Sequence, residues 1–396
     1  MSKKLFLKSY LSKYGHAVDL PADCYQPWNH VLIVPICGED SDCLRQLTGY
    51  IQAERYLIIA CVNRPINHPK SAQWQQQNKS LINHLCQQAQ SVKQLTQGYL
   101  LSFKTYGIWI IDFNDQPFDT NQGVGLARKI ATDSALQLID NQVIKTRWIH
   151  STDADVILPK EYFKVATDTN YAAYSLAFQH NGHDPELNHW QALYDFRLGY
   201  YQQAMRYIGS PYDYIPLGSC LVVQADAYAK VRGFPIRSGG EDFYVLNKLA
   251  KIGPIAQPDK PVVQIKSRLS DRVPFGTGPA LLKMKESTET LSYYHPQIFA
   301  EIKIWYQQLG DYFEKRIVPK NTFINRIWGI EPLINRTIKQ TRTEQRWQQF
   351  VIEWFDAFRI LKTVHALETD WPRQSLDKLR NLDLFWRLAE GLVVPE

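Results

Sequence analysis

Paired cysteines are missing from this chain of 396 residues. The six present (Cys24, Cys37, Cys43, Cys61, Cys86 and Cys220) form no Cys-x-x-Cys unit, and most stand within apolar runs. That spacing argues against a zinc ribbon or a disulfide scaffold and predicts buried thiols in a reducing compartment. Long apolar runs are missing too. The longest, at 31–37 and 56–62, are of strand length, whereas a membrane-spanning helix needs about 20 residues. No leader is legible, because Lys8 and Lys13 interrupt the N-terminal stretch before an apolar core develops. There is no internal repeat, and the one biased tract is a Gln/Asn-rich patch near 73–98. Nor is there a strong excess of one charge: 45 Lys and Arg face 39 Asp and Glu, a surplus of six. So small a surplus does not indicate nucleic acid as a partner, but it suits polyanionic ligands such as nucleotide diphosphates, or an anionic membrane surface. The expectation is a cytoplasmic protein.

What is present is the composition of a globular chain, with 45% apolar and 21% charged residues. Up to about residue 155 strand-like and helix-like segments alternate. Strands are expected at 31–37, 56–62, 108–113 and 148–152. Helices are expected at 41–53 (with Ser41 as N-cap), 71–97 and 124–140. Such alternation implies parallel pairing with helices on both faces, and ligands then sit beyond the carboxyl ends of the strands. Further strands are expected at 172–178, 219–224 and 261–266. After about 280 the pattern turns helical, with Trp347, Phe350, Val351, Trp354, Phe358 and Leu361 on one helical face. This predicts an α/β catalytic domain over 1–280 and a helical region over 281–396. The aromatic stripe is expected to be core; peripheral contact with the inner face of a membrane is its alternative use.

Four stretches carry residues suited to chemistry. Trp148-Ile-His-Ser-Thr-Asp-Ala-Asp155 ends a strand in two carboxylates, which make either a solvated strand-end turn or a donor set for a hard divalent cation such as Mg²⁺ held jointly with substrate phosphates. Ser238-Gly-Gly-Glu-Asp-Phe-Tyr244 runs two glycines and two acids into a helix. An acid there either complements the helix dipole or serves as a general base. Asn121-Gln-Gly-Val-Gly-Leu-Ala-Arg-Lys129 is a glycine-rich helix entry of the kind that binds anions, without Walker or dinucleotide spacing. Residues 266–278, with Lys266, Arg268 and Arg272 among Ser, Pro and Gly, have the composition of a phosphate-clamping lid or of a basic surface loop. His180 and His183 follow a strand and are either solvated loop residues or within reach of the same cleft, the first being the commoner case for such a loop.

The order of these motifs resembles the family-2 glycosyltransferases of GT-A fold, over about residues 30–270. Val31-Leu-Ile-Val-Pro35 is similar to the family's opening strand, and Gly125-Leu-Ala-Arg128 to its helix after the third strand. The run from Leu217-Gly-Ser to Gly233-Phe234 is similar to the acceptor-side strand and the turn before the catalytic acids. The resemblance implies a mainly parallel sheet flanked by helices. It also implies transfer of a sugar, with inversion, from a nucleotide-diphosphate donor to a saccharide, lipid-linked or other hydroxyl acceptor, in surface glycan synthesis. Asp155 would ligate Mn²⁺ or Mg²⁺, Asp153 would contact the ribose or help hold the metal, and Asp242, beside Glu241, would be the base. Pro35, Cys37, Glu39, Asn63, Arg128, Asp153, Arg268 and Arg272 would line the donor site, and Gly218, Ser219 and Gly240 the acceptor side. The family usually ends its second strand in paired acids that touch the base. This chain has Cys61-Val-Asn-Arg-Pro65, which leaves Asn63 or Glu39 for that contact. Two other readings compete: a nucleotidyltransferase, whose glycine-rich loop after the first strand is lacking here, and a non-catalytic scaffold of GT-A shape.

Overall fold

The computed structural model describes residues 3–182, 184–273, 276–286 and 291–395. It divides into two compact units, Met1–Asn188 with Pro216–Leu282 and His189–Ile215 with Lys283–Glu396. From the N-terminus the elements are α1 (Lys3–Tyr14), β1 (His30–Ile36), α2 (Cys43–Thr48), β2 (Tyr56–Val62), α3 (Ser71–Gln88), β3 (Ser91–Leu95), β4 (Gly98–Ser102), β5 (Tyr106–Asp112), α4 (Gly123–Asp140) and β6 (Trp148–Ser151). There follow β7 (Val156–Ile157), β8 (Ala173–Ser175), β9 (Phe178–Asn181), α5 (Pro185–Ile208), β10 (Leu221–Gln224), α6 (Ala225–Lys230), α7 (Glu241–Leu249), β11 (Ile255–Ala256), β12 (Val263–Lys266) and α8 (Thr277–Glu286).

The first unit is a mixed α/β structure on a nine-stranded sheet of order β11-β8-β10-β6-β1-β2-β5-β4-β3. Its centre, β6-β1-β2-β5, is parallel. There β2 is buried at all seven positions and β1 at all but the first. Burial on both faces is why these strands read as continuous apolar runs rather than alternating ones. On either side antiparallel neighbours take over: β10 beside β6, and the β3–β4 hairpin beside β5. A second sheet of three short strands has the order β7-β12-β9. All six cysteines are free thiols, four of them buried, and no helix among the described residues is long and apolar enough to cross a membrane.

Several elements differ from expectation for local reasons. The helix expected over 41–53 is only α2, because the Asp40 carboxylate accepts the Asp42 amide at 2.8 Å and holds the preceding residues in a turn. The helix expected over 71–97 ends at Gln88, and the rest of that polar stretch becomes β3. Gly98 makes the hairpin possible: its φ is +111°, and a Cβ there would lie 2.0 Å from the Ile110 carbonyl oxygen. The strand expected over 172–178 is two strands in different sheets, β8 and β9.

The second unit gathers α5 with α9 (Pro296–Gly310), α10 (Tyr312–Lys315), α11 (Thr322–Trp328), α12 (Ile330–Ile338), α13 (Glu344–Trp354), α14 (Ala357–Leu367), α15 (Leu376–Leu379) and α16 (Asp383–Leu388). Residues 189–215 therefore group with the helical region 283–396, although the expected first domain ran over 1–280. The reason is aromatic: Phe196 and Tyr200 of α5 pack on Tyr293, Phe299 and Phe385. The stripe expected on one helix is split between α13 and α14, where Asp356 caps α14 by accepting the Arg359 amide at 3.0 Å. Trp347 and Val351 are core, while Phe350, Trp354, Phe358 and Leu361 are half-buried. Phe355 and Ile360, at the split and just after it, are fully buried with them.

Candidate active site

A cleft of about 530 Å³ opens beyond the carboxyl ends of the parallel strands. Segments that leave those strands form much of its wall. Pro35 lies near the end of β1 and Cys37 and Glu39 follow it, Asn63 and Pro65 follow β2, and Asp153 and Asp155 follow β6. Arg128, Gly218, Ser219, Gly240, Glu241, Asp242, Arg268 and Arg272 complete the lining, so the expected acids, metal ligands, donor-site and acceptor-side residues line one cavity. His180 lines it too; His183 lies outside the described residues, as do Pro274 and Phe275 of the basic stretch.

The cleft contains two ionic clusters. Arg128 of α4 organises the first, with its side chain 3% exposed. Its Nε donates to Glu241 Oε1 at 2.7 Å, one Nη to Ser151 Oγ at 2.8 Å and the other to Asp153 Oδ1 at 2.5 Å. Gly218 permits this, since a Cβ on it would lie 2.4 Å from the guanidinium. With each of its three nitrogens donating at least once, Arg128 braces the wall of the cleft that it lines. Glu241 is likewise committed, being 4% exposed and held by Arg128.

Asp242 differs from its neighbour. The amides of Gly218 and Phe243 donate to its two oxygens at 2.9 and 2.7 Å. Burial and the adjacent Glu241 carboxylate push its carboxyl up to about 7, against the pull of Arg128 and these two amides. Burial outweighs the dipole of α7, because desolvation disfavours the charged form more than a partial positive charge at one helix end favours it. Gly240, at φ +71°, turns the chain immediately before these acids.

The second cluster lies across the mouth of β1. Arg268 grips Glu39 with two nitrogens, at 2.9 and 3.0 Å, and reaches Asp155 Oδ2 through its Nε at 2.6 Å. Arg272 also binds Glu39 and donates to the Gly38 carbonyl at 2.9 Å. Burial works to raise the Glu39 carboxyl, yet the two arginines hold it below the usual carboxylate range. Burial pushes Asp155 up to about 6, aided by the charges of Asp153 and Glu39 and opposed by Arg268. Burial raises the Cys37 thiol to about 12, so it is a wall residue rather than a nucleophile.

Among the described residues no group of three or more His, Cys, Asp or Glu side chains is arranged to hold a metal ion. The residues nevertheless fit a cation completed by substrate phosphates. Asp155 is a largely covered carboxylate, 16% exposed, that feels the like charges of Asp153 and Glu39; Arg268 pairs with it, while Arg128 and Arg272 pair with the other two. Asn63, 4% exposed, donates its amide nitrogen to the Ile36 and Cys61 carbonyls at 3.1 and 3.3 Å and closes the β2 side of the cleft.

The glycines at the entry to α4 serve a close crossing of the chain. A Cβ on Gly123 would lie 2.7 Å from Ser238 Cα, and one on Gly125 2.6 Å from the Pro235 carbonyl oxygen. The Gly125 amide already donates to the Arg237 carbonyl at 3.0 Å. These glycines let residues 235–238 pass close over the helix and so deliver Glu241 and Asp242 to the cleft. Sequence reasoning missed Ser151, which anchors Arg128; one more hydroxyl in a buried strand carries no signal of its own. No known protein-family model matches the chain, and no curated protein matches it significantly.

Proposed function

We propose that this chain is an inverting glycosyltransferase of GT-A type that takes a nucleotide-diphosphate sugar and transfers the sugar to a hydroxyl acceptor. The observation that carries the proposal is Asp242, a cleft-lining carboxylate poised near pH 7, which is the value a general base needs. Its carboxylate takes the acceptor's hydroxyl proton while the acceptor oxygen bonds to the anomeric carbon. The bond from that carbon to the diphosphate breaks on the opposite face, and its electron pair leaves with the diphosphate. Arg268 and Arg272 have the geometry to receive phosphate oxygens bidentately once they leave Glu39. Asp155, with Asp153, would hold a Mn²⁺ or Mg²⁺ ion, which supplies positive charge to the departing diphosphate.

The test is a panel of uridine and guanosine diphosphate sugars with Mn²⁺ or Mg²⁺, read by thermal shift and by slow donor hydrolysis. One donor should stabilise the protein only with metal, and Asp155→Ala should abolish that shift. Full donor turnover in excess chelator, or no response to any sugar nucleotide, would overturn the proposal.

A further inference from the structure

The chain's modest positive charge is not spread evenly. Residues 315–346 carry eight Lys or Arg against two Asp or Glu, which leaves 37 of each sign in all the rest. This one stretch of the second unit therefore holds the whole surplus. All eight cations (Lys315, Arg316, Lys320, Arg326, Arg336, Lys339, Arg342 and Arg346) are exposed. Among the described residues, Lys315 alone of them forms an ion pair, with Asp311. Two of the others lie over aromatic rings instead, Arg316 over Phe313 at 5.1 Å and Arg326 over Phe323 at 5.9 Å.

Apolar side chains stand among these charges. Ile317 is 61% exposed and Ile327 37%, each next in sequence to an exposed arginine. The helices face the same way chemically: α11 buries Ile324, and α12 buries Ile330 and Ile334, while Arg326, Arg336 and Lys339 point to solvent. Local packing does not need such a surface. Seven exposed cations without an ion pair among the described residues repel one another, and an exposed isoleucine gains nothing in water.

We infer that residues 315–346 form a docking surface for an anionic lipid bilayer. Cations at this density are drawn to the negative surface of such a membrane, and isoleucines between them can enter the boundary between headgroups and acyl chains. The isoleucines favour lipid over a polyanion such as RNA, which would offer them nothing to bury against.

Flotation with vesicles tests this without any sugar transfer, so it stands or falls apart from the proposed activity. The whole chain should float with phosphatidylcholine vesicles containing about a third phosphatidylglycerol, and not with phosphatidylcholine alone. High salt should release it. The combined variant Arg326→Glu, Arg336→Glu, Lys339→Glu should partition at least about a hundredfold less, at about fivefold per cation. Ile317→Asn with Ile327→Asn should weaken binding to vesicles while leaving any binding to an RNA oligonucleotide unchanged. A control with Lys13→Glu, Lys104→Glu and Lys160→Glu makes the same change in net charge in the first unit and should bind like wild type. Equal loss in that control, unchanged binding in the first variant, or tighter binding to RNA than to vesicles would overturn the inference. Because all substituted side chains are solvent-exposed, unchanged circular dichroism should accompany each result.

Discussion

Two adjacent acids at the start of α7 have opposite fates, and the difference is testable one atom at a time. Glu241 is buried against Arg128, while Asp242 lines the cleft with a carboxyl raised to about 7. Asp242→Asn should keep donor affinity near wild type and cut transfer by on the order of a hundredfold or more. The wild-type rate should climb through pH 7. A base acts only when deprotonated, and a raised carboxyl loses its proton over that range rather than near pH 4. A rate already at its plateau by pH 5 would remove Asp242 from the role. Glu241→Gln should instead act on stability, because it leaves a buried guanidinium partly unpaired, typically about 3–5 kcal/mol when one partner of a buried pair is removed. Denaturant titration measures that loss. The pair was legible in the sequence as two acids after two glycines. Their division of labour was not, because it depends on an arginine that lies 113 positions away in sequence.

Elements that touch the cleft were legible where a short pattern decides them, and illegible where a distant contact does. β1, β2 and β6 announce themselves by apolar runs, and the acids beyond them by position. The glycines of α4 have the pattern of an anion site, yet their partner is the chain at 235–238. Gly125→Ala should therefore destabilise by about 1–3 kcal/mol, the usual cost of overpacking. Its Cβ would meet backbone atoms, which cannot rotate away. A stability equal to wild type would show that this segment yields. The strap from Ser267 to Arg272 has the composition of a phosphate clamp, but nothing in the sequence joins its arginines to Glu39. Glu39→Gln should weaken that tether. In the ligand-free protein, hydrogen exchange over 267–272 should rise, and diphosphate affinity should improve by about tenfold, because a charge-assisted contact no longer competes for the arginines. A fall in affinity would mean that Glu39 itself holds the nucleotide.

At the scale of the whole chain, the boundary near residue 280 was visible as a change of pattern, but the excursion at 189–215 was not. A single amphipathic helix looks alike whether its apolar face meets a sheet or a bundle of helices, since periodicity reports a buried face and not what covers it. The partners of α5 come from far along the chain: Tyr293, Phe299 and Phe385 cover Phe196 and Tyr200. Cutting the chain after Leu282 would strip those aromatics from a helix that also buries Met205 and Ile208. The truncated protein should aggregate, since a contiguous apolar face of that size is not tolerated on a soluble monomer. Removing residues 189–215 as well, and bridging the gap with a flexible Gly/Ser linker, should restore a soluble first unit whose thermal stability is still raised by nucleotide diphosphate with Mn²⁺. Size-exclusion chromatography and thermal shift read the two shortened proteins side by side. If the simple truncation is monomeric and stable, the face of α5 is covered from the first unit, and the division at 189–215 is wrong.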